Sequence, residues 1–174
     1  MTEHHADVTT FSSKSRAEVY ESALESGKAL FAEESFWPAN LANAASLMWY
    51  AFDAIGKQVN WAGFYVTMAS QGSDLLLGPF MGRVACQRIM FGKGVCGTAA
   101  STQEVQLVPN VDQFPGHIAC DGETKSEIVV PMVDQTGVLR GVLDVDCLVL
   151  SGLDEIDATF LKQLADLLVS SCKW

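Results

Sequence analysis

VNWAGFYVTM, residues 59–68, is where the chain changes period. It is rich in β-branched and aromatic residues, which fit a pleated, half-buried surface. Alternation puts Trp61, Gly63 and Tyr65 on one face and Asn60, Ala62 and Phe64 on the other. The residues before it read as helix. Ser15 and Glu18 have capping-box spacing, and Val19, Ala23, Leu24, Leu30 and Phe31 recur at helical intervals. Phe36, Trp37 and Pro38 break that helix, and Pro38 suits the first turn of a second one, where its missing N–H costs little. The second helix runs to about Ile55, carries Leu41, Ala44, Ala45, Met48 and Phe52 on one side, and is stopped by Gly56. Residues 1–14 are polar and aperiodic, His4 and His5 included, and read as a mobile tail. Residues 15–174 are left as one domain.

The residues after Met68 read mostly as strand. SQGSD (70–74) is a turn and LLLGPF (75–80) a returning strand. Cys86, flanked by Arg83 and Arg88, is expected in a short strand. Gly92 and Gly94 mark a loop, and VCGTAAS (95–101) reads as the start of a short helix. Cys96 then lies near a helix N-terminus, whose exposed N–H groups favour a thiolate and lower its pKa. Residues 104–109 form another short strand and NVDQFPGH (110–117) a loop. Strands at 128–133 and 138–145 flank the turn DQTG. A last helix starts near Leu153 with Ile156, Phe160, Leu164, Leu167 and Leu168 as its apolar stripe. Cys172, late on that helix, and Cys147, just past a strand, read as packing. Helices, then strands, then one closing helix make an α/β fold of the α+β kind.

At 174 residues and 49% apolar composition, the chain supports one domain with a sizeable core. No apolar run reaches the ~18 residues that span a bilayer. The N-terminus lacks a basic start followed by an apolar core, so an intracellular, cytoplasmic location is expected. A net charge of −10 argues against nucleic acid and anionic membranes as partners. Five cysteines are an odd set for a disulfide framework in a reducing compartment. None forms the close C-x-x-C pair of most structural zinc sites, and no metal site is expected.

Two segments carry chemistry. FPGHIACDGETKSEIVVPMV (114–133) packs a cysteine, a histidine and three carboxylates into a turn-rich stretch that runs into an apolar strand. Its Cys120 sits on a loop and is either a reactive group braced by the strand or a small buried hydrophobe. GVLDVDC (141–147) sets Asp144 and Asp146 two apart, on one face of a strand. Carboxylates there are costly to bury unless they meet a cation or a donor. They can bind an ammonium group, or hold a proton at a raised pKa and act as acids. Pairing across DQTG brings Glu127 towards them, and Trp61 and Tyr65 add an aromatic wall. The residues describe a pocket for a small cationic or zwitterionic ligand.

NWAGFY, GPFMGRVAC, GKGVCGTAA, HIACDGETKSEIVVP and GVLDVD, in that order, resemble the free methionine-(R)-sulfoxide reductases, stand-alone GAF-domain enzymes, over about residues 15–172. The resemblance implies a GAF domain, a central antiparallel sheet flanked by helices. It implies reduction of the free R sulfoxide of methionine, with no bound cofactor and thioredoxin or a similar dithiol as reductant, in a homodimer. By the same resemblance Cys120 is the nucleophile, Cys86 the resolving thiol and Cys96 a second resolving or recycling thiol. Glu127, Asp144 and Asp146 protonate the sulfoxide oxygen and hold the ammonium, and Trp61 and Tyr65 enclose the S-methyl group. Two rival readings are a non-enzymatic GAF module that binds a small ligand, and a zinc site built from Cys86, Cys96, Cys120 and His117, which the spacing disfavours.

Overall fold

In the computed structural model, residues 11, 15–67, 74–118 and 121–174 are described. The helices are α1 (Arg16–Phe31), α2 (Trp37–Ala54), α3 (Gly94–Thr102) and α4 (Glu155–Ser171). The strands are β1 (Val59–Thr67), β2 (Asp74–Gly82), β3 (Arg88–Met90), β4 (Gln106–Val108), β5 (Ser126–Val133) and β6 (Leu139–Cys147). They form one sheet in the order β3-β2-β1-β6-β5-β4, with every neighbouring pair antiparallel.

Alternation along the central strands sorts side chains into two cores. Ala62, Phe64 and Val66 of β1, Ile128, Val130 and Met132 of β5, and Leu143, Val145 and Cys147 of β6 face one side. There they meet the buried stripes of α1, α2 and α4. Trp61, Tyr65, Val129 and Val142 face the other side, with Val95, Cys96, Ala99 and Ala100 of α3. The sheet thus separates a three-helix layer from a smaller layer made by α3 and loops.

Local signals account for the ends of the helices. Ser15 caps α1 in a capping box with Glu18, worth about 1 kcal/mol. Asp154 caps α4 the same way with Asp157. Pro38 sits in the first turn of α2, and Gly56 follows that helix with φ +73°. On the helical side, Asp157 is fully buried, accepts from Arg16 and Tyr20, and pairs with Lys57 Nζ at 2.7 Å. This network ties α1 and the α2–β1 connection to the start of α4.

Several readings change. Ile156 is 58% exposed rather than part of the α4 stripe, because the buried side of the first turn is taken by Asp157. Cys86 lies in the loop between β2 and β3, not in a strand; the end of β2 at Phe80–Gly82 pairs only with β1, and β3 starts at Arg88. Phe11, expected in a tail, is 3% exposed and belongs to the helical core. The rest of the expected tail and most of the SQGSD turn lie outside the described residues.

Candidate active site

The register between strands assembles the acidic cluster. Glu127 of β5 lies opposite Asp146 of β6, and Asp146 and Asp144 lie opposite Trp61 and Gly63 of β1. All three carboxylates therefore share the smaller face of the sheet with Trp61 and Tyr65. Together with Cys96, His117, Lys93 and Arg83 they line one pocket. Gly63 makes the aromatic wall possible. A Cβ there would lie 2.3 Å from Phe80 Cβ and 2.8 Å from the Trp61 ring. Without it, Trp61 stacks between Tyr65, at 5.8 Å, and Phe80, at 5.2 Å between centroids. Phe80 went unmarked in the sequence; a β1–β2 register would have found it opposite Gly63.

α3 closes the pocket from above the sheet. Gly97 permits its approach, since a Cβ there would sit 2.3 Å from the Met90 carbonyl. Cys96, the residue before it, points its thiol at the carboxylates. Sγ lies 3.3 Å from Asp144 Oδ2, to which it donates, and 4.0 Å from Glu127 Oε1. His117 Nε2 is 3.9 Å from Glu127 Oε2. Among the described residues no lysine or arginine pairs with Glu127, Asp144 or Asp146, and Asp144 Oδ1 and Trp61 Nε1 are buried without partners.

Removal from water without a compensating cation sets the protonation states. Burial, and then the Asp144 charge, push Glu127 well above the ordinary carboxylate range. The same two causes raise Asp146. Burial lifts Asp144 to about 7, against hydrogen bonds from Cys96 and Glu127 that favour its charged form. Glu127 is thus a carboxylic acid held against Asp144, able to give a proton at neutral pH. Burial keeps the imidazole of His117 neutral by lowering its pKa. Cys96 overturns its expectation. Burial, and then the Asp144 charge, push its thiol well up, and the helix N-terminus does not make it a thiolate.

A frame of polar contacts holds the pocket's rim. Asn60 Nδ2 donates to Asp121 Oδ2 at 3.2 Å and Thr124 Oγ1 at 3.1 Å. Arg83 pairs with Glu123 and lies 3.8 Å from Asp121. It links the loop that carries Cys86 to the turn that begins at Asp121. Cys86 is disulfide-bonded, while Cys96, Cys147 and Cys172 are free thiols. Cys120 lies outside the described residues.

Residues 42–170 match the GAF domain family. The free methionine-R-sulfoxide reductase of Saccharomyces cerevisiae is 54% identical over 170 residues, covering 97% of this chain and 94% of that protein. The chain belongs to the free methionine-R-sulfoxide reductase family. The Escherichia coli free methionine-R-sulfoxide reductase is 40% identical over 149 residues, 86% of each chain. The free methionine-R-sulfoxide reductase of Neisseria meningitidis in complex with its substrate superposes with a TM-score of 0.83. It is 40% identical and covers 92% of both chains. In this member of the family Trp61, Tyr65, Cys96, Glu127, Asp144 and Asp146 converge on one pocket. His117, weighed from the sequence only as a zinc ligand, joins them; its place three residues before Cys120 was the available signal.

Proposed function

We propose that this protein reduces free L-methionine-(R)-sulfoxide to methionine through a cysteine sulfenic acid and a disulfide. The observation that carries the reading is the cluster of buried Glu127 and Asp144 with half-buried Asp146, without a cation partner among the described residues, beneath an aromatic wall. It suits a ligand that brings its own ammonium and a basic oxygen. The relatives named above act on that compound.

Asp144 and Asp146 hold the ammonium. Lys93 and the open N–H groups of the first turn of α3 face the carboxylate. Trp61 and Tyr65 enclose the S-methyl group. Cys120, as thiolate, attacks the sulfoxide sulfur while Glu127 delivers a proton to its oxygen. The protonated oxygen then passes to the Cys120 sulfur as the new sulfur–sulfur bond and the S–O bond break, so methionine leaves and Cys120 is a sulfenic acid. Cys86 condenses with it, releasing water and forming a Cys86–Cys120 disulfide. Support for that pair comes from the bonded state of Cys86, the three free thiols elsewhere, and the Arg83 link between the Cys86 loop and Asp121. A dithiol such as thioredoxin supplies two electrons by exchange. Cys96, buried and neutral, braces Asp144 before it serves as any recycling thiol. We take the unit as a single GAF domain over 15–174, acting as a cytoplasmic homodimer without a bound cofactor.

The test is NADPH consumption coupled through thioredoxin and its reductase, with each epimer offered separately. The R epimer of the free amino acid is expected to turn over and the S epimer to be poor. Binding of the R epimer without turnover by the reduced protein would return the chain to the reading of a ligand-binding module.

A further inference from the structure

We infer that Cys96, Glu127 and Asp144, with His117 as fourth donor, form a binding site for a zinc-class divalent cation. The donors are a thiol, two carboxyl groups and a neutral imidazole, the set that borderline-soft cations take. One ligand atom from each of Cys96, Glu127 and Asp144 lies within 4.8 Å of the others. In a tetrahedral zinc site with ordinary bond lengths, a sulfur and an oxygen ligand stand ~3.5 Å apart. The two sulfur–oxygen distances here, 3.3 and 4.0 Å, bracket that value before any cation draws the groups in. His117 Nε2 is 3.9 Å from the second Glu127 oxygen but stands outside the mutually close set of Cys96, Glu127 and Asp144, so it completes the site only by moving in on binding.

A second observation points the same way. Asp144 is 5% exposed, and its Oδ1 has no donor among the described residues, although it lines the pocket. A buried acceptor without a donor is an open coordination position. Cys96 is the free thiol on this wall. Cys147 faces the opposite core and Cys172 ends α4, so neither reaches the cluster. The donor set differs from the zinc set weighed from sequence, because Cys86 is committed to a disulfide while the sheet register brings two carboxylates to Cys96. Coordination displaces the protons of the Cys96 thiol and of the Glu127 carboxyl to solvent. The cation would also occupy the groups assigned to the substrate, so that inhibition, unlike binding itself, rests on the proposed function.

The test uses the full chain in its oxidised form, with the Cys86 disulfide intact. Cd²⁺ is titrated while the sulfur-to-cadmium absorption in the ultraviolet is followed, and Zn²⁺ is then used to displace it. One equivalent per chain is expected. Cys96→Ala should remove the absorption, and Glu127→Gln and Asp144→Asn should each weaken zinc binding about 100-fold. Cys172→Ser should change nothing. Thermal unfolding shows whether each variant is folded, and the two carboxylate variants carry the test if Cys96→Ala is not. The proposal is overturned by an absent band in the folded wild type, by a band that survives Cys96→Ala, or by one that disappears in Cys172→Ser. All three readings are independent of whether methionine sulfoxide is turned over.

Discussion

The two faces of the sheet treat buried acid in opposite ways. On the helical face, Asp157 is completely buried but fully partnered. Arg16, Lys57 and Tyr20 reach its side chain, and the Asp154 N–H donates to it at 2.8 Å. On the smaller face, Glu127, Asp144 and Asp146 meet a thiol, a neutral imidazole and one another, with no cation partner among the described residues. The first arrangement is complete within the chain and fixes the seat of α4. The second has no cation among the described residues and is balanced by raised pKa values instead, which leaves it open to a ligand that brings a positive charge. A buried carboxylate is therefore not in itself a functional sign; one without its cation is.

The largest effect should come from removing the proton of Glu127. Glu127→Gln keeps the shape but cannot donate to the sulfoxide oxygen. A fall in kcat/KM of about 1,000-fold is expected in the coupled assay, within the usual range for a general acid, with the unfolding midpoint in denaturant unchanged or raised. A fall in stability matching the fall in activity would make Glu127 a structural acid like Asp157.

Asp157→Ala is the mirror image. It leaves Arg16 with Asp154 alone and Lys57 with only the Gly152 carbonyl, and it removes one half of the α4 capping box. A loss of about 3 kcal/mol in urea unfolding is expected, with kcat/KM of the folded protein close to wild type. Loss of turnover in the folded variant would erase the distinction between the faces.

Much of this contrast was legible in the chain. The period-2 run from Val59 placed Trp61 and Tyr65 together, and aspartates two apart in an apolar strand announced a shared face. Capping-box spacing found the start of α1. What escaped depended on partners distant in sequence. Cys96 was read from its own helix, whose N-terminus favours a thiolate; the carboxylates of β5 and β6 facing it reverse the sign. Ile156 fitted a helical stripe, but the buried side of that turn went to Asp157 because two cations from α1 and the α2–β1 connection meet there. Phe80 came to stack on Trp61, and His117 to line the pocket, only through strand register and the path of the loops.

Titration separates the faces further. The folded pKa of Asp144, about 7, lies above its ordinary 3.8, so the folded state holds the proton more tightly than the unfolded one. Its contribution to stability is then fully present below about pH 4 and is lost as the pH rises towards 7. Relative to Asp144→Asn, wild type should lose stability across that window and stay level above it, as measured by urea unfolding at a series of pH values. A difference that grows with pH would mean that Asp144 is paired with a cation after all.

The smallest effects belong to the bystander thiols. Cys172, half-buried at the end of α4, accepts from Asn40 Nδ2 at 3.6 Å. Cys147 is buried on the helical face. Cys172→Ser should shift stability by less than about 0.5 kcal/mol, and both serine variants should keep most of the activity. Lost turnover in a folded Cys147→Ser protein would extend the chemistry to the wrong side of the sheet.

The central claim, that carboxylates without a cation partner among the described residues select a ligand carrying its own ammonium, is tested most directly by removing that ammonium. kcat/KM is measured on free L-methionine-(R)-sulfoxide and on its N-acetyl derivative, with wild type and the same coupled assay. Loss of a charge paired with buried carboxylates predicts a drop of about 100-fold or more for the acetylated compound. Equal rates on the two compounds would contradict the claim.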